Sequence, residues 1–231
     1  MKKYLSLSLA LLLLQACSHE VYNNDAYLNT TNLEGKKVAI LPAEVEYTGR
    51  WPKDYTAQKK MAMEDAESIS IQNMLYSEYL YHSKKPNKKQ KAVELINVDQ
   101  VNSRLRDRGI SARSAWTMNP DSLGKLVGAD LVIRTRVKKN RIMSDAESLG
   151  VGIATSIFNS AIEKDNIGGG INTNLNKTYS INYEVTLSDV SNHIVVSRMT
   201  KSNDANWHRS PDEVINYSAG RMVNKGAVYA K

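Results

Sequence analysis

The chain has a single cysteine, Cys17, so no internal disulfide can form. Its four histidines, His19, His82, His193 and His208, fall at unrelated spacings and with one thiol make a poor metal-ligand set. No apolar run approaches the roughly 18 residues that a membrane-spanning helix needs, which excludes a polytopic membrane protein. No Gly-rich phosphate loop followed by Lys-Ser/Thr is present, and no Gly-x-Ser-x-Gly elbow. Ser122-Leu123-Gly124-Lys125 matches a Ser-x-x-Lys acylation motif, but no Ser-Asp-Asn or Lys-Thr-Gly element accompanies it. Glu64, Asp65 and Glu67 read as solvated charges on a helix surface. The expectation is therefore a protein that is not an enzyme and uses no metal and no cofactor.

What remains is an ordinary globular composition. Of 231 residues 42% are hydrophobic and 24% charged, enough for one core with some embellishment. The net charge of +7 is only moderately basic and the aromatics do not cluster with it, so no nucleic-acid partner is expected.

The amino terminus reads as an address. Lys2 and Lys3 precede an apolar run from Tyr4 to Leu14, too short to anchor as a helix. Leu14-Gln15-Ala16-Cys17 resembles a bacterial lipobox. That resemblance implies a signal peptide at 1–16, cleavage after Leu14, Gln15 and Ala16, and diacylglycerol on the Cys17 sulfur. The mature chain would then hold 231 − 16 = 215 residues, with 29 basic and 24 acidic side chains. No Asp follows Cys17 to resemble an inner-membrane retention signal, so the expected location is the outer membrane, lipid-anchored and facing the periplasm. Residues 17–35 are polar and Asn-rich and read as a lipidated start and flexible tether.

Residues 36–231 read as one α/β domain with a mixed sheet and flanking helices. Val38-Ala39-Ile40-Leu41-Pro42 is a buried strand, apolar on both faces. Residues 57–82 form a helix through Ile71, Met74, Leu75 and Tyr79. The five lysines between Lys84 and Lys91 read as a solvated loop. Val93–Val98 is a second strand, and Asp99 caps a helix carrying Val101 and Leu105. Pro120 opens a short helix that ends at Gly128. Leu131 to Arg141 is a long strand with Leu131, Ile133 and Val137 on one face. Arg134, Arg136 and Lys138 line the other face, and with Lys139 and Arg141 they make a cationic stripe, which reads first as an exposed sheet face balanced by neighbouring acids and second as a candidate anion-binding face.

A hydrophobic, Gly-containing insertion at 146–177 follows. Gly150, Ile153, Ala154, Ile157, Phe158 and Ala161 fall on one helical stripe with no charge opposite, which suits packing on the chain's own sheet or makes a candidate oligomer or membrane contact. Beyond it, Tyr179–Leu187 and Ile194–Thr200 alternate cleanly as a hairpin. Ser210-Pro211-Asp212-Glu213 has capping-box spacing and opens a closing helix through Ile215 and Ala219.

This order resembles the superfamily of CsgG-like periplasmic lipoproteins, which includes the curli secretion channel, LpoB-type activators and the PelC export ring. Val38–Pro42 resembles their first strand. Leu123–Ile133 resembles their step from helix through Gly-Ala-Asp into a strand. The hairpin at 183–197 resembles their strand pair, although Asn192 and His193 replace the usual turn and Arg198 stands where a tryptophan is common. The resemblance spans roughly residues 36–230. It implies a TolB amino-terminal or anticodon-binding-like fold without enzymatic activity. It also implies partners in self-association or an envelope protein complex for secretion, polymer export or peptidoglycan synthesis. A binding module for an anionic envelope polymer is the alternative.

Overall fold

The computed structural model describes residues 21–51, 56–83, 93–144 and 177–206, together with Glu213, Ile215, Tyr217, Ala219 and Gly220. The signal sequence, the lipobox with Cys17, the lysine loop and the stripe at 149–162 lie outside the described residues.

The described strands are β1 (Val21–Asn23), β2 (Lys37–Ile40), β3 (Glu44–Gly49), β4 (Glu94–Leu95), β5 (Leu131–Arg141), β6 (Lys177–Asp189) and β7 (Ile194–Asn206). The described helices are α1 (Asp25–Thr30), α2 (Ala57–Ser83), α3 (Val98–Arg106), α4 (Ala112–Thr117) and α5 (Pro120–Val127). One mixed sheet runs β1-β7-β6-β5-β2-β4, and β3 also pairs with β5. The strand β5 is the spine. Its first three residues pair in parallel with β2, and Arg136–Arg141 pair in parallel with β3. β2 and β3 thus lie end to end along one edge of β5, separated by Leu41-Pro42-Ala43. Pro42 has no N–H to give the ladder, which is why the edge breaks there. The hairpin β6–β7 flanks the other edge of β5, antiparallel throughout.

Helices cover the two faces unequally. On one face α2 buries Ile71, Leu75 and Tyr79 against Ile40, Val45, Ile133, Val137, Ile181 and Tyr183. Glu213, Ile215, Tyr217, Ala219 and Gly220 are helical, and Ile215 and Ala219 join this core. On the other face α3, α4 and α5 pack Val101, Leu105, Ala115, Leu123 and Val127 on Ala39, Leu41 and Val132. They cover only the β2 half of the sheet.

Local chemistry sets the element ends. Asn119 Oδ1 accepts from the amides of Asp121 and Ser122, and Pro120 occupies the first turn of α5. Gly128 closes the helix at φ 69°, a conformation natural to glycine. Asp130 Oδ2 then accepts from Lys37 N at 2.8 Å, tying the start of β5 to the start of β2. Gly124 is required for another reason. A Cβ there would stand 2.4 Å from Val190 Cγ2 and 2.8 Å from Val132 Cγ1, so α5 lies directly on the sheet.

Four expectations are corrected. Residues 21–35 are not a tether: β1 pairs with β7, and Tyr27 and Leu33 are buried in the main core. The folded part therefore begins before residue 36. The second strand is only Glu94–Leu95, because Val98 already starts α3, and Asn97 rather than Asp99 is its cap. The strand β3 and the six-residue helix α4 were not foreseen. Finally, Glu64 and Glu67 face inward. Glu64 accepts from Tyr47 N at 2.9 Å on the outer edge of β3 and pairs with Arg113 at 3.0 Å. Glu67 meets the Tyr47 hydroxyl and Lys139 Nζ.

Candidate interaction face

Because α3–α5 stop short, one face of β3, β5, β6 and β7 stays uncovered by the described elements. Strand alternation places Arg134, Arg136 and Lys138 there, as the sequence predicts. Cross-strand register builds three rows. Glu44, Arg136, Glu184 and Thr200 form the central row, and Glu46, Lys138, Asn182 and Ser202 the next. Arg134, Thr186, Arg198 and Tyr22 form the third.

The rows are paired in charge. Arg136 Nε donates to Glu44 Oε2 at 2.7 Å, and Lys138 Nζ lies 3.2 Å from Glu46 Oε2. Arg198 pairs with Glu184. Arg134 is half-buried at the margin, where its Nη1 donates to the Met118 carbonyl at 3.1 Å. Burial, then the neighbouring Arg136, hold its pKa below the ordinary guanidinium value. Lys139 and Arg141 do not belong to this face. They point to the α2 side, where Lys139 is buried against Glu67 and the Arg141 guanidinium lies 5.5 Å over Trp51. The stripe expected to be cationic is therefore a ladder of alternating sign. A shallow concavity of about 250 Å³ lies in it, lined by Glu44, Glu46, Arg136, Lys138, Asn182 and Thr200.

A larger cavity, about 630 Å³, lies elsewhere, between Pro42 and Ile69 and the α3–α4 segment. Asp99, Asn102 and Arg106 rim it. Asn102 Nδ2 donates to Gln72 Oε1 at 2.9 Å, and Gln72 Nε2 donates to the Ile40 carbonyl at 2.7 Å. This relay satisfies the carbonyl left at the β2–β3 break.

Ser122 and Lys125 lie on α5, where Ser122 N serves the Asn119 cap. His193 Nδ1 lies 2.6 Å from Asp121 Oδ2 at the exposed β6–β7 turn. Among the described residues no group of three metal-ligating side chains converges, and no helix is long and apolar enough to cross a membrane. The sequence reading allowed for neighbouring acids but did not say which residues supply them. Glu44 and Glu46 alternate with Val45 and Tyr47 in a strand that the preceding Pro42 disguised.

No family model and no curated protein matches the sequence. Several solved structures are similar in chain course. A PelC dodecamer from Paraburkholderia phytofirmans shares 11% identity, covering 87% of this chain and 96% of that one, at TM-score 0.40. Lipoprotein GNA1162 from Neisseria meningitidis shares 10%, covering 82% and 96%, at 0.39. The LpoB C-terminal domain from Salmonella enterica shares 11%, covering 79% and 91%, at 0.35. PelC and LpoB are also the groups that the ordered motifs of residues 36–230 resemble. At scores this low the likeness carries no weight for activity or partner.

Proposed function

We propose that this chain is a non-enzymatic lipoprotein of the outer membrane, acylated at Cys17 and facing the periplasm. It acts as an assembly or interaction component of an envelope process such as secretion, polymer export or peptidoglycan synthesis. The observation that carries this reading is the sheet face that the described elements leave uncovered. Its rigid, charge-alternating rows suit a folded partner of complementary pattern, either a second copy or another envelope protein. The same pairing disfavours the alternative of an anionic polymer, because Arg136, Lys138 and Arg198 each already face a carboxylate.

A photo-crosslinking residue at Asn182, in the intact envelope, is expected to give a discrete adduct of higher mass. The same residue at Arg108, exposed beyond the end of α3, should give none. Equal adducts from both positions, or none from Asn182, would remove the role of this face. The stripe of Ile153, Ala154, Ile157, Phe158 and Ala161 is proposed as a second contact. Ile153→Asp with Ile157→Asp should lower the particle mass in mild detergent, by light scattering, and leave the circular dichroism of the fold unchanged. An unchanged mass would exclude that contact.

A further inference from the structure

The short path from Cys17 to the first strand fixes where the membrane must lie. Val21–Asn23 are hydrogen-bonded in register with Met199–Ser197 in the middle of β7. Val21 is the fourth residue after Cys17, and four residue steps reach at most about 14 Å. If Cys17 is acylated, the reading on which this inference rests, the bilayer surface lies within that reach of β7. The backward direction of β1 points from Met199 toward Asn206, so one end of the sheet faces the anchor.

That end has a distinct composition. Gly49, Arg141, Tyr179 and Ala205 succeed one another across β3, β5, β6 and β7. The exposed Arg50 follows Gly49 and donates its backbone N–H to the Arg141 carbonyl at 2.9 Å. Trp51 stacks on Tyr47 with centroids 5.1 Å apart and meets Tyr179 edge-on at 6.5 Å. The Arg141 guanidinium lies 5.5 Å over the same indole, and Lys177 pairs with Asp204 at 2.6 Å. Among the described residues, and setting aside Lys139, which is neutralised inside the core, Arg50, Arg141 and Lys177 stand against one carboxylate here, Asp204. Tryptophan and tyrosine beside cations favour the headgroup layer, where the rings meet the acyl boundary and the cations meet phosphate. The opposite end, near the turn at 190–193, is mixed in charge, with Asp121 beside His193, Asp189 paired with Lys36, and Asp130 next to Lys37.

We propose that the sheet end formed by Arg50, Trp51, Arg141 and Lys177 rests on the anionic headgroups of the membrane that holds Cys17. The protein is then membrane-apposed, with its long strands standing away from the bilayer.

The test uses the full-length acylated protein in vesicles of phosphatidylethanolamine and phosphatidylglycerol that contain a headgroup-nitroxide lipid. Acylation blocks the native sulfur, so Arg50→Cys or Asn192→Cys supplies one labelling site for a fluorophore. The two positions stand about 40 Å apart along strands rising about 3.3 Å per residue, so quenching at 50 should exceed that at 192 by about twofold or more. Flotation with the vesicles is read on the same samples. Flotation with equal quenching, or stronger quenching at 192, overturns the apposition and leaves the anchor standing. Failure to float overturns the anchor and the apposition with it.

Discussion

Asp189 joins three parts of the chain that are distant in sequence. Its Oδ2 accepts from the Tyr27 hydroxyl on α1 and from Lys36 Nζ at 3.2 Å, while Oδ1 accepts from the amides of Ser191 and Asn192 at 2.9 and 2.8 Å. Burial raises the pKa of this carboxyl, but the Tyr27 hydroxyl, the Asn192 amide and Lys36 outweigh it and bring the value down to about 2. Burial acts against the Lys36 charge too, and its hydrogen bonds to Asp189 and Tyr27 more than offset that. The folded-state value of Asp189 lies below the unfolded value, so the carboxylate stabilises the fold fully above about pH 4. That contribution, about 2 kcal/mol, is lost as pH falls through 4 toward 2. Urea unfolding of Asp189→Asn should show the loss at pH 7 and a flatter acid limb than the parent. Tyr27→Phe should cost about 1 kcal/mol and move the acid transition to higher pH, since one stabilising donor is gone. An unchanged acid limb in either variant would contradict this network.

At the scale of elements, α2 shows what pattern reading catches and what it misses. Its span was legible because no glycine or proline interrupts 57–83 and Ile71, Leu75 and Tyr79 recur on one stripe. The inward polar groups were not, because Glu64, Glu67 and Gln72 answer to an edge strand and a chain break that are distant in sequence. Gln72→Met keeps the volume but orphans the Ile40 carbonyl and Asn102, and should destabilise by about 1–3 kcal/mol in chemical unfolding. The strand β5 was legible in full because an apolar start, Leu131–Ile133, leads after Gly128 into alternation from Ile133 through Lys138. The short helix α1 was hidden among asparagines, since only Tyr27 of its six residues is buried. Gly124 shows the same limit from the other side. The Ser-x-x-Lys match singles out Ser122 and Lys125, whereas the residue between them sets how closely α5 packs. Gly124→Ala must displace Val190 and Val132 and should cost about 1–3 kcal/mol by overpacking. A neutral result would show that α5 can lift without loss.

For the whole molecule, three features converge on one account. The amino-terminal pattern resembles a lipid address, the described helices leave one charged face of the sheet uncovered, and β1 holds the start of the fold close to the anchor. The fold class and the order of the main strands were readable from periodicity. Which residues balance the charge of that face was not, because it depends on which strands lie side by side. Everything proposed for location depends on the fate of Cys17, and intact mass spectrometry of the protein extracted from its membrane fraction tests that most directly. The account predicts a chain of 215 residues beginning at Cys17, with the added mass of a diacylglyceryl group and an acyl chain, and with Cys17→Ala left unprocessed. A mature chain that begins elsewhere, or that carries no lipid, would contradict it.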